Sequence, residues 1–204
     1  MEQLLIFPFN GNGIEALDGL DRCYGLAGFI DDDKTKQGQG KYGPVFSRDA
    51  LTRFPDAKIL AVPGNPTHFL ERQALIESLR VPADRWASFV HPRASVSAHA
   101  VVGKNTLIMA GAVVSAGAQV GNHVCILPNT VIHHDSVVGD YTLIGSNVTI
   151  AGRVTVGKNC YIGSGSSLIQ EIEIGERSMI GMGSTVIRTV TPGSKVAGNP
   201  ARAL

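Results

Sequence analysis

The chain has no excess of either charge. Its 204 residues carry 18 Lys and Arg against 17 Asp and Glu, a formal net charge of +1 with histidines neutral. That balance offers no electrostatic footprint for nucleic acid. Cysteine is scarce. Cys23, Cys125 and Cys160 are an odd set without metal-type spacing, which points to reduced, mostly buried thiols in a cytoplasmic protein. Long hydrophobic runs are missing as well. The opening MEQLLIFPFN holds Glu2 and only a few apolar residues before Pro8, too little for a signal peptide or a membrane span.

What the chain does have is a period of six. Stepping by six from Val90 gives Val96, Val102, Ile108, Val114, Val120, Ile126, Ile132, Val138, Ile144, Ile150, Val156, Ile162, Leu168, Ile174, Ile180 and Val186, with no polar residue among them. Glycine often follows the aliphatic residue, and the position four after it is mostly small, as at Ala112, Thr130, Ser136 and Ser166. Neither an α-helix, with period 3.6, nor a simple strand, with period 2, explains such a series. A period of six predicts a parallel β-helix with three sides and roughly 18 residues per coil, about five coils in all. The aliphatic side chains point inward and stack from coil to coil.

Upstream of residue 89 the repeat is absent. Strands are predicted at 4–9, 24–33 and 58–63, with helices at 14–20 and 66–80. That order argues for a small parallel sheet with helices on its faces, which binds ligands at the carboxyl ends of its strands. Asn10, Gly11, Asn12 and Gly13 follow the first strand, but Gly11 and Gly13 do not complete a G-x-G-x-x-G fingerprint. Asp31 and Asp32 end the second strand, where such sheets often set a carboxylate against a ribose. An ordinary turn accounts for either segment equally well on these residues alone.

The hexapeptide pattern resembles the left-handed parallel β-helix of the hexapeptide acyltransferases. The whole chain is similar to one subfamily, the sugar O- and N-acyltransferases that act on sialic acid or on nucleotide-linked 4-amino sugars. GFIDDD (28–33), VPGNPTHFLERQAL (62–75), FVHPRASVS (89–97), IHHDSVVGDY (132–141) and the closing KVAGNPARAL (195–204) carry the resemblance. It implies a Rossmann-like α/β domain over residues 1–85 that holds the nucleotide sugar through Asn10, Gly11, Asn12, Gly13, Asp31, Asp32, Gly64 and Asn65. It implies a left-handed β-helix over 86–204 that binds acetyl-CoA, no metal, and a homotrimer with its sites between subunits. The chain departs from the subfamily at Ile14, Leu127 and Leu143, where a histidine, an asparagine and a histidine are usual.

Acyl transfer from a thioester needs a base, a stabilised oxyanion and two substrates held together. Of the six histidines, His134 stands two residues after inward-facing Ile132 and directly before Asp135. That spacing places it outside the coil, near a corner, with a carboxylate beside it to fix the tautomer and raise basicity. A solvated surface pair would have the same spacing. The resemblance makes His134 the general base with Asp135 as its partner, and makes the amide of Gly152, eighteen residues on, the oxyanion donor. Arg188, Lys195 and Arg202 are candidates for the phosphates of coenzyme A, although solvated charges would look alike. The expected activity is acetyl transfer from acetyl-CoA to the amino group of a nucleotide-linked sugar in surface glycan or polysaccharide synthesis. Transfer to a sugar hydroxyl and a non-catalytic nucleotide-sugar-binding subunit are the alternatives. A zinc hydro-lyase on the same β-helix would need an H-x4-H pair, and Val138 and Gly139 stand where its second histidine would follow His133 or His134.

Overall fold

The computed structural model describes residues 1–204. The N-terminal part is a five-stranded sheet. Strands β1 (Gln3–Phe7), β2 (Gly25–Ile30), β4 (Gly43–Phe46) and β5 (Lys58–Ala61) are mutually parallel, and β3 (Gly38–Gly40) pairs antiparallel with β4 at one edge. The order β3-β4-β2-β1-β5 sets β1 between β2 and β5, so the chain runs from β1 to one side of it and later returns to the other. The loops after β1, β2 and β5 therefore meet at a switch point on the carboxyl edge. Helices α1 (Gly11–Glu15), α2 (Ala50–Arg53) and α3 (Arg72–Glu77) are short.

Two expectations shift here. The first helix begins inside the predicted turn, because Asn10 caps it by accepting the Gly13 N–H at 2.9 Å. The predicted helix over 66–80 is confined to a 3-10 turn (Phe69–Glu71) and α3. Upstream of it Asn65 Oδ1 takes the Thr67 N–H at 2.7 Å, which favours a local turn over the first helical hydrogen bonds.

From Phe89 onward every strand of the repeat is two residues long and pairs in parallel with partners eighteen residues away, as Val131 does with Val113 and Thr149. Three sheets result, the faces of a left-handed β-helix. The first runs from Phe89–Val90 to Met179–Ile180 and ends in the hairpin Lys195–Gly198 and Ala201–Ala203. The second runs from Ser95–Val96 to Thr185–Val186, and the third from Val101–Val102 to Glu173–Ile174. The inward aliphatic residues from Ile108 to Val186 are at most 3% exposed. Val90 is 38% exposed and Val96 and Val102 are half-buried, because the first coil has no coil beneath it. Each fully buried Ile or Val contributes roughly 1.5–3 kcal/mol. Small residues beside the core close the corners. Thr130, Ser136 and Thr142 each donate a hydroxyl hydrogen to a carbonyl fifteen residues on and accept an N–H eighteen residues on.

The first face carries apolar residues outward too. Phe89, Leu107, Cys125, Leu143 and Tyr161 are buried against Leu4, Ile6, Phe29, Leu60 and Phe69 of the α/β domain. Leu127 packs against the same cluster, so Leu127 and Leu143 serve domain docking here. The open edge of β5 is covered. Trp86 bridges to Ile59, and the buried amide of Asn105 takes the Ala61 N–H at 2.6 Å while donating to the Ala61 carbonyl at 3.0 Å. Arg72, 3% exposed, donates to the carbonyls of Pro63, Tyr141 and His123 and approaches Cys125 Sγ at 3.1 Å. The His123 carbonyl receives this guanidinium, and the His123 ring stacks on that of Tyr141 at 4.7 Å. Desolvation, and then the charge of Arg72, lowers its pKa from 6.5 to about 4.

Two outcomes are expected. Ile144→Asp sets an unpaired carboxylate inside the stack and lowers stability by at least about 3 kcal/mol, whereas the exterior Thr155→Asp changes it by less than about 0.5 kcal/mol, both read by denaturant unfolding. His123 binds a proton less readily when folded than when unfolded. Its contribution is therefore complete above pH 6.5 and is lost as pH falls from there toward 4. The difference in melting temperature between the parent and His123→Asn should narrow across that window.

Candidate active site

His134 and Asp135 occupy the corner between the second and third faces, away from the face that the α/β domain covers. Asp135 is at φ 59°, the left-handed turn conformation that its short side chain tolerates. Its Oδ2 lies 2.8 Å from His134 Nδ1. A carboxylate can only accept, so Nδ1 donates, and in the neutral ring Nε2 carries the free lone pair. Both side chains are about half exposed.

Two glycines make room for the pair. A β-carbon on Gly152, in the coil above, would lie 2.7 Å from His134 Nε2. A β-carbon on Gly117, in the coil below, would run into the carboxylate of Asp135. The imidazole thus leans over the Gly152 backbone and the carboxylate rests over Gly117. The upper loop is fixed at three points. Arg153 N–H donates to the His134 carbonyl at 3.1 Å, Ser136 Oγ donates to the Ala151 carbonyl at 2.7 Å, and Val154 N–H donates to Ser136 Oγ at 3.2 Å. The Gly152 N–H between them donates to no group of the chain. A base nitrogen and a free backbone N–H, held side by side on a rigid corner, are two of the three requirements of acyl transfer.

The other sequence-predicted residues fall into separate groups. Asn10, Gly11, Asn12, Gly13, Asp31, Asp32, Gly64 and Asn65 all lie at the carboxyl edge of the N-terminal sheet. Asn10 and Asn12 donate to the Val62 carbonyl and tie the loop after β1 to the loop after β5. The side chain of Asn12 fills the space that a β-carbon on Gly64 would need. Asp31 is 4% exposed and organises the crevice from within, accepting from Phe9 N–H, Asp33 N–H and Lys36 Nζ. Asp32 is held by Arg48 through Nε at 2.6 Å and Nη2 at 2.7 Å. Arg188 and Arg202 line one cleft of about 240 Å³ at the far end of the β-helix, with Thr189, Thr191 and Ser194. Lys195 is not with them. It points out from the first face into a hollow lined by Thr67, Phe69, Tyr161 and Met182.

Sequence reasoning passed over Gly117, Ser136 and Arg153. Each stands eighteen residues from Asp135 or two residues beyond His134 or Ala151, so laying the repeat out in columns would have found them. It also passed over Arg72 and Asn105, whose roles depend on contacts between domains. Cys125 and Cys160 are buried, and burial raises both thiols, Cys160 to about 11, so neither is a ready nucleophile. No three His, Cys, Asp or Glu side chains are grouped to hold a metal ion, and no helix is long and apolar enough to cross a membrane.

Residues 99–134, 117–152, 135–170 and 153–188 match the bacterial transferase hexapeptide family (six repeats). No curated protein sequence matches the chain. Among solved structures, it is similar to the acetyltransferase domain of PglB from Neisseria gonorrhoeae FA1090 in complex with acetyl coenzyme A, with 26% identity, TM-score 0.88 and coverage of 100% of this chain and 99% of that one. PerB from Caulobacter crescentus in complex with CoA and GDP-perosamine shares the fold at 24% identity and TM-score 0.87, covering 100% and 97%. WeeI from Acinetobacter baumannii AYE does so at 21% and 0.84, covering 100% of both chains. Residues 99–188 thus carry the repeats of that family, and the whole chain has the left-handed β-helix architecture of these acetyltransferase structures.

Proposed function

We propose that this protein transfers an acetyl group from acetyl-CoA to the amino group of a nucleotide-linked amino sugar, as a homotrimer, in the synthesis of a surface glycan or polysaccharide. The observation that carries this reading is the pairing of His134 Nε2 with the free N–H of Gly152 on one corner. The acetyl-CoA complex of the similar PglB domain supports the donor. The switch-point crevice after β1, β2 and β5 supports a nucleotide-bearing acceptor.

In this reading the acceptor amine attacks the thioester carbonyl carbon as His134 Nε2 removes its proton. Asp135 keeps Nδ1 protonated and stabilises the imidazolium that forms. The Gly152 N–H receives the oxyanion. As the carbon–sulfur bond breaks, the imidazolium returns its proton to the departing thiolate. Arg188 and Arg202 hold phosphates of coenzyme A at the end of the β-helix. The crevice belongs to a domain docked on the first face, while the dyad stands on the corner between the other two. This separation supports a site completed by a neighbouring copy.

Steady-state kinetics with acetyl-CoA and a panel of UDP-, GDP- and dTDP-linked amino sugars test the reading. His134→Ala should lower kcat by roughly 10²–10⁴-fold with the KM for acetyl-CoA little changed. Asp135→Asn should lose less, and His133→Ala should be nearly silent. Parental turnover in His134→Ala at neutral pH would remove the base assignment. Gly152→Ala, whose new methyl meets the imidazole, should lower kcat by about 10²-fold with an unchanged melting temperature.

A further inference from the structure

The corner that carries the dyad is a column of residues eighteen apart: His99, Gly117, Asp135, Arg153 and Glu171. Arg153 stands one coil above Asp135, so its guanidinium can reach either carboxylate of the column, Asp135 below or Glu171 above. It turns upward. Nε donates to Glu171 Oε1 at 2.8 Å, and Nη2 closes on the same oxygen. Asp135 faces the other way, over Gly117, and gives Oδ2 to His134. The side chains of Arg153 and Glu171 are 53% and 56% exposed. An ion pair so open to water adds little to stability, so its consequence lies in which carboxylate the guanidinium occupies.

We propose that Glu171 is a positioning residue for His134: by holding Arg153 in the upper coil, it leaves Asp135 to accept the Nδ1 proton of the imidazole. The inference rests on His134 as the general base. Once Glu171 is removed, Asp135 is the one carboxylate left in the column. A guanidinium offers it two parallel charge-assisted bonds, where a neutral imidazole offers one. Asp135 drawn toward Arg153 releases Nδ1, and the ring is free to carry its proton on Nε2, where it can no longer accept one from the acceptor amine. The other charged or titratable groups of this corner are His133 beside the dyad, His99 two coils below Asp135, and Arg188 three coils above His134. None of these side chains is hydrogen-bonded to Asp135.

The test uses the intact protein labelled with ¹⁵N-histidine, as parent, Glu171→Ala, Arg153→Ala and the double variant, at neutral pH. The His134 resonances are identified by their loss in His134→Gln, and ring ¹⁵N shifts report which nitrogen carries the proton. The parent and Arg153→Ala should show His134 protonated on Nδ1. Glu171→Ala should move toward the Nε2–H form, and the double variant should return to Nδ1–H. Acetyl transfer should follow the same order. Glu171→Ala should lose about fivefold in kcat at unchanged KM for acetyl-CoA, a part of the full proton-transfer contribution, and the double variant should recover to within about twofold of the parent. A Glu171→Ala protein with the parental tautomer and kcat would overturn the proposal. So would a double variant as slow as Glu171→Ala, because the effect would not then pass through Arg153. If His134→Ala is slow while Glu171→Ala is unaffected, this inference alone fails; if His134→Ala is fully active, the base assignment fails with it.

Discussion

Everything in this protein depends on the stacking of aliphatic side chains inside the β-helix. Ile126, Ile144, Ile162 and Ile180 stand above one another in one column, and Ile132, Ile150 and Leu168 in the next, all nearly inaccessible to water. Shifting a strand by one residue would turn an aliphatic side chain out and a polar one in. Register is therefore fixed around the whole prism, and every outward residue has a neighbour eighteen positions away. His134 leans over Gly152, and Asp135 sits over Gly117, because the interior permits no other alignment. A corner with this geometry needs no flexible loop to assemble it, which suits the proposed role of presenting a base and an N–H donor at fixed separation.

The same register makes the three outer faces chemically unlike one another. On the first face the outward positions are Phe89, Leu107, Cys125, Leu143 and Tyr161, and they form the seat of the α/β domain. Polar groups at the edge of that seat set the docking angle. Asn105 pairs with the backbone of β5 as a neighbouring strand would, and Arg72 distributes its charge over three carbonyls rather than a carboxylate. A buried guanidinium satisfied in this way is costly to leave unmade and specific in direction. The domain is thereby held on one side of the prism while the dyad looks out from another.

Much of this was legible in the sequence. The period of six fixed which residues point inward, because burying an aliphatic side chain at every sixth position constrains composition strongly. His134, Asp135 and Gly152 could be placed on one corner by counting alone. What escaped depends on contacts between distant segments. Nothing local marks Arg72 as buried, since arginine on a short amphipathic helix ordinarily faces water. Asp31 reads as a ligand-facing carboxylate until Phe9, Asp33 and Lys36 are seen to occupy it. Lys195 and Arg202 are seven residues apart, yet the closing hairpin sends them to different clefts. The β3–β4 hairpin went unseen because Gly38, Gly40 and Gly43 break the alternation by which a strand is recognised.

In the proposed function crevice and dyad act together across two copies of the chain, because one copy holds them on different sides. Mixed trimers test it most directly. Subunits carrying His134→Ala would be co-assembled with subunits whose crevice is blocked by Gly64→Trp, a change that collides with Asn12. Each variant alone should be inactive. If a site takes its base from one copy and its crevice from the next, random mixing should restore about a quarter of the parental sites. Mixed trimers as inactive as either parent variant would contradict the account and place the whole reaction within a single copy.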